Sequence, residues 1–154
     1  MATLTLEDFL YTKSQNSDSA EVKRAWQERK NRWVKQVDSL YSSIENWLIP
    51  MVNAKQVEIS RRTTSLTEEQ IGLYSIPELT IYFVGEKVEL RPRGTNIIGG
   101  FGRIDVYGKN GQAALVLPEW DKWSFYQLDR SNVSMPKPIY EPLTDDVFKR
   151  VMLD

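Results

Sequence analysis

Between Ser19 and Leu48 the apolar residues recur at helical spacing. Val22, Trp26, Trp33, Val37, Leu40, Tyr41, Ile44, Trp47 and Leu48 fall mostly three, four or seven apart, which puts them on one broad stripe of an amphipathic helix. Asp18 and Ser19 are suitable N-caps, and Pro50 predicts an end near Leu48 or Ile49, because the residue before a proline disfavours helical geometry. Such a helix is roughly 45 Å long at 1.5 Å per residue. The stripe reads first as cover for a core and second as a surface for self-association. Arg29 and Lys30 interrupt any coiled-coil seam.

Beyond Pro50 the period changes to two. Lys55–Arg62 alternates, with Val57 and Ile59 on one side, and Thr63, Thr64 and Leu66 extend it or begin another strand. After Pro77, the run 79–84 places Leu79, Ile81 and Phe83 on one face. Gly85-Glu86 is the predicted two-residue turn into Val88–Leu90. Arg91–Gly94 breaks the pattern. Strands are then predicted at Arg103–Tyr107, Ala113–Leu117 and Lys122–Leu128, the first two joined by a turn centred on Lys109-Asn110-Gly111. Short strands without intervening helices predict an antiparallel meander, not a parallel doubly wound sheet.

The ends are less regular. Leu4, Leu6, Phe9, Leu10 and Tyr11 suggest a brief helical turn, and the polar residues 12–19 read as a mobile linker. Residues 131–142 contain Pro136, Pro138 and Pro142 and read as an irregular surface segment. Thr144, followed by Asp145 and Asp146, starts a short C-terminal helix with Val147, Phe148, Val151 and Met152 on its apolar side. The predicted fold class is therefore α+β. A curved antiparallel sheet meander packs against one long N-terminal amphipathic helix, with a short C-terminal helix, in a single domain over residues 1–154.

Composition narrows the chemistry. The 154 residues suffice for one core, and 41% hydrophobic with 27% charged residues is ordinary for a folded chain. With no histidine and no cysteine, imidazole catalysis, disulfides and thiolate chemistry are excluded, as are histidine- or cysteine-based metal sites. No apolar run approaches the roughly 20 residues of a membrane span, and Glu7 and Asp8 do not fit a signal peptide, so a cytoplasmic location and no membrane partner are expected. The net charge of −1 argues against broad nonspecific DNA binding.

Four stretches attract functional readings. Gly99, Gly100 and Gly102 precede a strand, not a helix, so they suit a bend, a bulge or close backbone approach better than a phosphate loop. Arg91 and Arg93 flank Pro92, and Arg103 follows; their guanidinium forks suit carboxylate or phosphate, and Arg61 and Arg62 join them if their strand lies alongside. In the segment 120–126, Trp123 and Phe125 fit a core, leaving Trp120 and Tyr126 to face outward or toward a helix. The basic residues of the helix, Lys23, Arg24, Arg29, Lys30, Arg32 and Lys35, read as stems that shield the tryptophans. The carboxylate pairs Glu68-Glu69, Glu119/Asp121 and Asp145-Asp146 offer only a poor acid–base constellation.

The expectation is a noncatalytic protein-interaction or accessory module without cofactor. Arg91, Arg93, Arg103, Trp120 and Tyr126 are its candidate binding residues. Its partner is a protein, or a second copy through the 19–48 helix. The alternatives are a nucleic-acid-associated module using the same arginine and aromatic residues, or a carboxylate-based or metal-dependent enzyme.

Overall fold

The computed structural model describes residues 6–95, 100–108, 111–129 and 137–153. The chain begins with helix α1 (Leu6–Trp47) and the single-turn α2 (Ile49–Asn53). Strands β1 (Val57–Glu68), β2 (Gly72–Phe83), β3 (Glu86–Gly94), β4 (Arg103–Gly108), β5 (Gly111–Glu119), β6 (Lys122–Asp129) and β7 (Lys137–Pro142) follow, and α3 (Asp145–Leu153) ends it. The strands form one seven-stranded sheet in the order β1 to β7, and every neighbouring pair is antiparallel. The predicted meander with a long N-terminal and a short C-terminal helix is the observed architecture.

α1 is longer than its apolar stripe implies. Residues 12–19, expected as a linker, continue the helix without a break. The segment is polar but holds neither glycine nor proline, so nothing in it stops a helix from propagating. Trp33, Val37, Leu40, Tyr41, Ile44 and Leu48 are buried on the sheet, and Trp47 is partly buried. The stripe from Trp33 onward is therefore core. At the other end, residues 20–25 are all exposed, so the helix overhangs the sheet there.

The covered face of the sheet presents Leu79, Ile81, Val88, Leu90, Ile104, Val106, Leu115, Leu117 and Phe125, all buried. The register aligns them across strands: Leu79 opposite Leu90, Leu90 opposite Val106, Ile104 opposite Leu115, Leu115 opposite Phe125. In the outer half of the β1–β2 hairpin the buried parity reverses, to Tyr74 and Ile76. β3 pairs with β2 only from Leu79 to Phe83, so residues 72–78 belong to a two-stranded ribbon. Free ribbons twist more than sheets do, and Pro77 sits where no second neighbour needs its missing N–H.

Several strand ends differ from the sequence expectation. Arg91–Gly94 does not break the pattern but completes β3, with a bulge at Arg93 between the paired residues Pro92 and Gly94. Residues 137–142, expected to be irregular, are β7. Pro138 and Pro142 are tolerated because β7 is an edge strand with only β6 beside it. Residues 131–136, Lys109 and Asn110 lie outside the described residues, as do Ile97, Ile98 and Gly99. Thr144 caps α3 as expected: its hydroxyl accepts from the Val147 amide at 3.2 Å.

The β2–β3 turn falls one residue earlier than predicted. Phe83 pairs with Glu86, so Val84-Gly85 is the loop, with φ of 51° and 77°. Two positive φ values define a mirror-type turn that favours asparagine first, whereas a β-branched residue there is strained. Val84 is 91% exposed, so little packing compensates the strain. Val84→Asn is expected to stabilise the fold by about 1 kcal/mol, read as a higher midpoint in chemical denaturation.

Gly102 has a different role. A Cβ built there would lie 2.1 Å from Cζ3 and 2.3 Å from Cε3 of Trp33. The missing side chain is what lets the buried indole lie against the backbone. The adjoining backbone bonds to β5, with the Phe101 amide donating to the Leu117 carbonyl at 2.8 Å and the Leu117 amide to the Gly102 carbonyl at 3.0 Å. This is the close-approach reading of the glycine cluster.

Candidate functional site

Among the described residues, no helix packs on the face of the sheet turned away from α1. Alternation sends Lys87, Glu89 and Arg91 of β3 and Arg103, Asp105 and Tyr107 of β4 to this face, since their neighbours Val88, Leu90, Ile104 and Val106 are buried on the other. The register carries the row onward: Arg91 is opposite Asp105, Asp105 opposite Ala114, Ala114 opposite Tyr126, and Tyr126 opposite Tyr140. Four candidate residues, Arg91, Arg93, Arg103 and Tyr126, thus share one surface.

Asp105 is the centre of this surface. Its carboxylate is nearly buried and accepts from Arg93 Nε at 2.9 Å and Arg103 Nε at 2.7 Å. Arg93 reaches it because the bulge adds one residue to β3 at that point. Arg91 pairs with Glu89 and lies over the Tyr107 ring, 5.1 Å from its centroid. Lys87 also reaches Glu89, at 3.1 Å. Hydrogen bonding from Lys87, with help from Arg91, holds the Glu89 carboxyl below its ordinary pKa against an opposing effect of burial. On β3 and β4 this face therefore carries Lys87, Arg91, Arg93 and Arg103 against Glu89 and Asp105, an excess of two positive charges. The three arginine side chains remain 44–59% exposed, so N–H groups not used by Asp105 or Glu89 face solvent. Tyr140 is 62% exposed, with its ring 5.1 Å from that of Tyr126, and Tyr82 on β2 is exposed too.

Trp120 is not part of this surface. Together with Asp121 it makes the β5–β6 turn, and its ring stacks on Phe101 at 4.3 Å while Arg32 of α1 lies 4.6 Å above it. Arg29 lies over both Trp26 and Phe101, and its guanidinium donates to the carbonyls of Thr95 and Gly100 at 2.5 and 3.2 Å. These contacts fasten the basic half of α1 to the sheet, which explains why arginines alternate with tryptophans there. Nor does β1 adjoin the arginine patch, because β2 lies between it and β3. Arg61 turns to α1, where it meets Glu45 at 2.5 Å and Asp38 at 2.6 Å; Arg62 meets Glu78 at 3.3 Å.

Asp105, Tyr107 and Tyr140 are not among the candidates drawn from the sequence. The first two are the polar half of the alternation around Ile104 and Val106, so they were available from periodicity. Tyr140 lay in the segment expected to be irregular.

Glu68 shows what the acidic candidates do instead. Its carboxylate accepts from the Thr95 amide at 2.9 Å, the Thr95 hydroxyl at 3.0 Å and the Tyr74 hydroxyl at 2.5 Å, so it ties the β1–β2 hairpin to the end of β3. Burial, then the hydrogen bond to Glu68, raises the Tyr74 pKa; burial likewise raises that of Tyr41, whose hydroxyl donates to the Leu90 carbonyl at 3.4 Å. Among the described residues no three acidic groups cluster as a metal site, and no helix is long and apolar enough to cross a membrane. No family model, curated protein or solved structure matches this chain.

Proposed function

We propose that this chain is a noncatalytic accessory module of the cytoplasm that binds an acidic protein surface through the open face of its sheet. The observation that carries this reading is the row Arg91–Asp105–Tyr126–Tyr140, flanked by Arg93 and Arg103, on the face that α1 leaves bare. Arginine and tyrosine dominate binding hot spots because they combine large contact area with directed polar groups. Asp105 and Glu89 hold the guanidinium groups in place before a partner arrives, which lowers the entropy lost on binding. The noncatalytic reading is supported by Glu68, whose carboxylate is already engaged in structural hydrogen bonds to Tyr74 and Thr95.

A second reading follows from the exposed Tyr140 ring beside Tyr126: bases of a single-stranded nucleic acid stack on such rings while arginines meet the phosphates. One experiment separates the two. Proteins captured from the native cell by the wild-type chain are compared with those captured by Arg91→Glu and Tyr140→Ala, using Lys35→Ala, exposed on α1, as an off-face control. The protein reading expects capture to fall at least about tenfold in both face variants and to persist in the control, as for hot-spot residues. Equal capture by all four chains overturns it. Salt-sensitive binding of a generic oligonucleotide, lost in the same two variants, favours the nucleic-acid reading instead.

A further inference from the structure

We propose that two copies of this chain pair edge to edge through β1, antiparallel, about a two-fold axis at Ser60, and so join their sheets into one. The two edges of the sheet are not alike. β7 carries Pro138 and Pro142, which have no N–H to offer a new strand. β1 runs for 12 residues without proline or glycine and has β2 on one side only. Among the described residues, no backbone hydrogen bond from another element reaches residues 58–67 on the free side. An extended edge of that length is a template for another strand.

The sequence of β1 points to a second copy as the occupant. With the axis at Ser60, Glu58 of each copy stands opposite Arg62 of the other, so the contact is made twice. Both residues belong to the face away from α1, and the Arg62 side chain is 77% exposed. Neighbouring registers lose this match. An axis at Arg61 sets Arg61 against itself, and an axis at Thr63 sets Glu58 against Glu68. Like charges directly opposite are unfavourable and unlike charges favourable. An axis at Ser65 would also oppose unlike charges, Arg62 and Glu68, but the Glu68 carboxylate is already engaged by Tyr74 and Thr95, so charge favours Ser60. The same register brings Leu66 of the second copy level with Ala54, at the end of α2. There an open cleft of about 780 Å³ between α2 and β1 is lined by the exposed Ile49 and Val52 together with Val57 and Ile59. The contact lies at the edge of the sheet and does not depend on the reading of the open face.

The test is sedimentation of the full chain over a concentration series, with circular dichroism confirming that each variant is folded. The wild type is expected to dimerise. Glu58→Arg and Arg62→Glu each place like charges at both contacts, and each is expected to weaken the dimer about tenfold or more. The double variant E58R/R62E restores the match and should dimerise like the wild type. An equimolar mixture of the two single variants also opposes unlike charges, and should form a mixed dimer that neither variant forms alone. A wild type that stays monomeric throughout overturns the proposal. So does a dimer equally strong in both single variants, which would place the contact elsewhere, such as on the overhanging part of α1.

Discussion

Gly102→Ala is expected to destabilise the protein by at least about 3 kcal/mol, a large share of the roughly 5–15 kcal/mol that holds a typical domain together. The new methyl carbon would overlap the Trp33 ring, 2.1–2.7 Å from three of its atoms. Neither side can retreat easily. Trp33 is fully buried, with Trp123 at 5.9 Å, and the Gly102 carbonyl is bonded to the Leu117 amide. Trp33→Leu in the same background removes the clashing ring atoms. Denaturation of the two single variants and the double variant should therefore give a coupling energy of about 1–3 kcal/mol, in the sense that the second change partly rescues the first. Strict additivity would show that Gly102 and Trp33 do not meet.

Phe148→Ala is expected to cost about 3–5 kcal/mol and to release α3. Phe148 is 1% exposed, its ring lies 5.9 Å from that of Trp47, and it is the buried anchor among residues 145–150 of the helix. Nine residues do not hold a helix in water on their own. The Thr144 cap, the Lys149–Asp145 pair at 2.8 Å and the Arg150–Glu141 pair stay available to the variant, but exposed pairs add only a few tenths of a kcal/mol each. Amide hydrogen exchange is the measurement: loss of protection at Phe148 and its helical neighbours, together with a lower denaturation midpoint, is the expected result. Unchanged protection there would mean that α3 is held by something other than this ring.

The core of this fold is legible in the sequence because it is written in two periods. The stripe from Trp33 to Leu48 and the alternations at 79–83 and 103–107 each specify a buried face, and the structure buries those faces against one another. What periodicity did not reveal depends on neighbours. Pro92, Pro138 and Pro142 break strands only where a second strand needs their N–H, and strand order is not contained in local sequence. The Val84-Gly85 turn was misplaced because glycine occupies the second loop position, leaving valine at a positive φ that propensity alone would not assign to it. The polar run at 12–19 looked like a linker, yet it lacks any residue that ends a helix.

The candidate site was legible in its parts only. Arg91, Arg103 and Tyr126 could be seen as residues off the core face, but only the β3–β4–β5–β6 register makes them one surface. Arg93 joins them through a bulge, and Asp105 becomes their centre because it lies across from Arg91. Trp120, read as facing outward or toward a helix, takes the second course from a position in a turn. There Asp121 takes a φ of 66° and bonds to Gln36, and the indole is directed at α1.

Binding through the sheet face opposite α1 should leave a footprint on its strands. Amide hydrogen exchange of the chain with and without its captured protein partner tests this most directly, because it reads every strand at once. The partner is expected to slow exchange in β3, β4 and β6, at Arg91, Arg103 to Tyr107, and Tyr126, and to leave α1 unchanged. Slowing confined to α1 and the turn at Trp120, with none in those three strands, would contradict binding through that face.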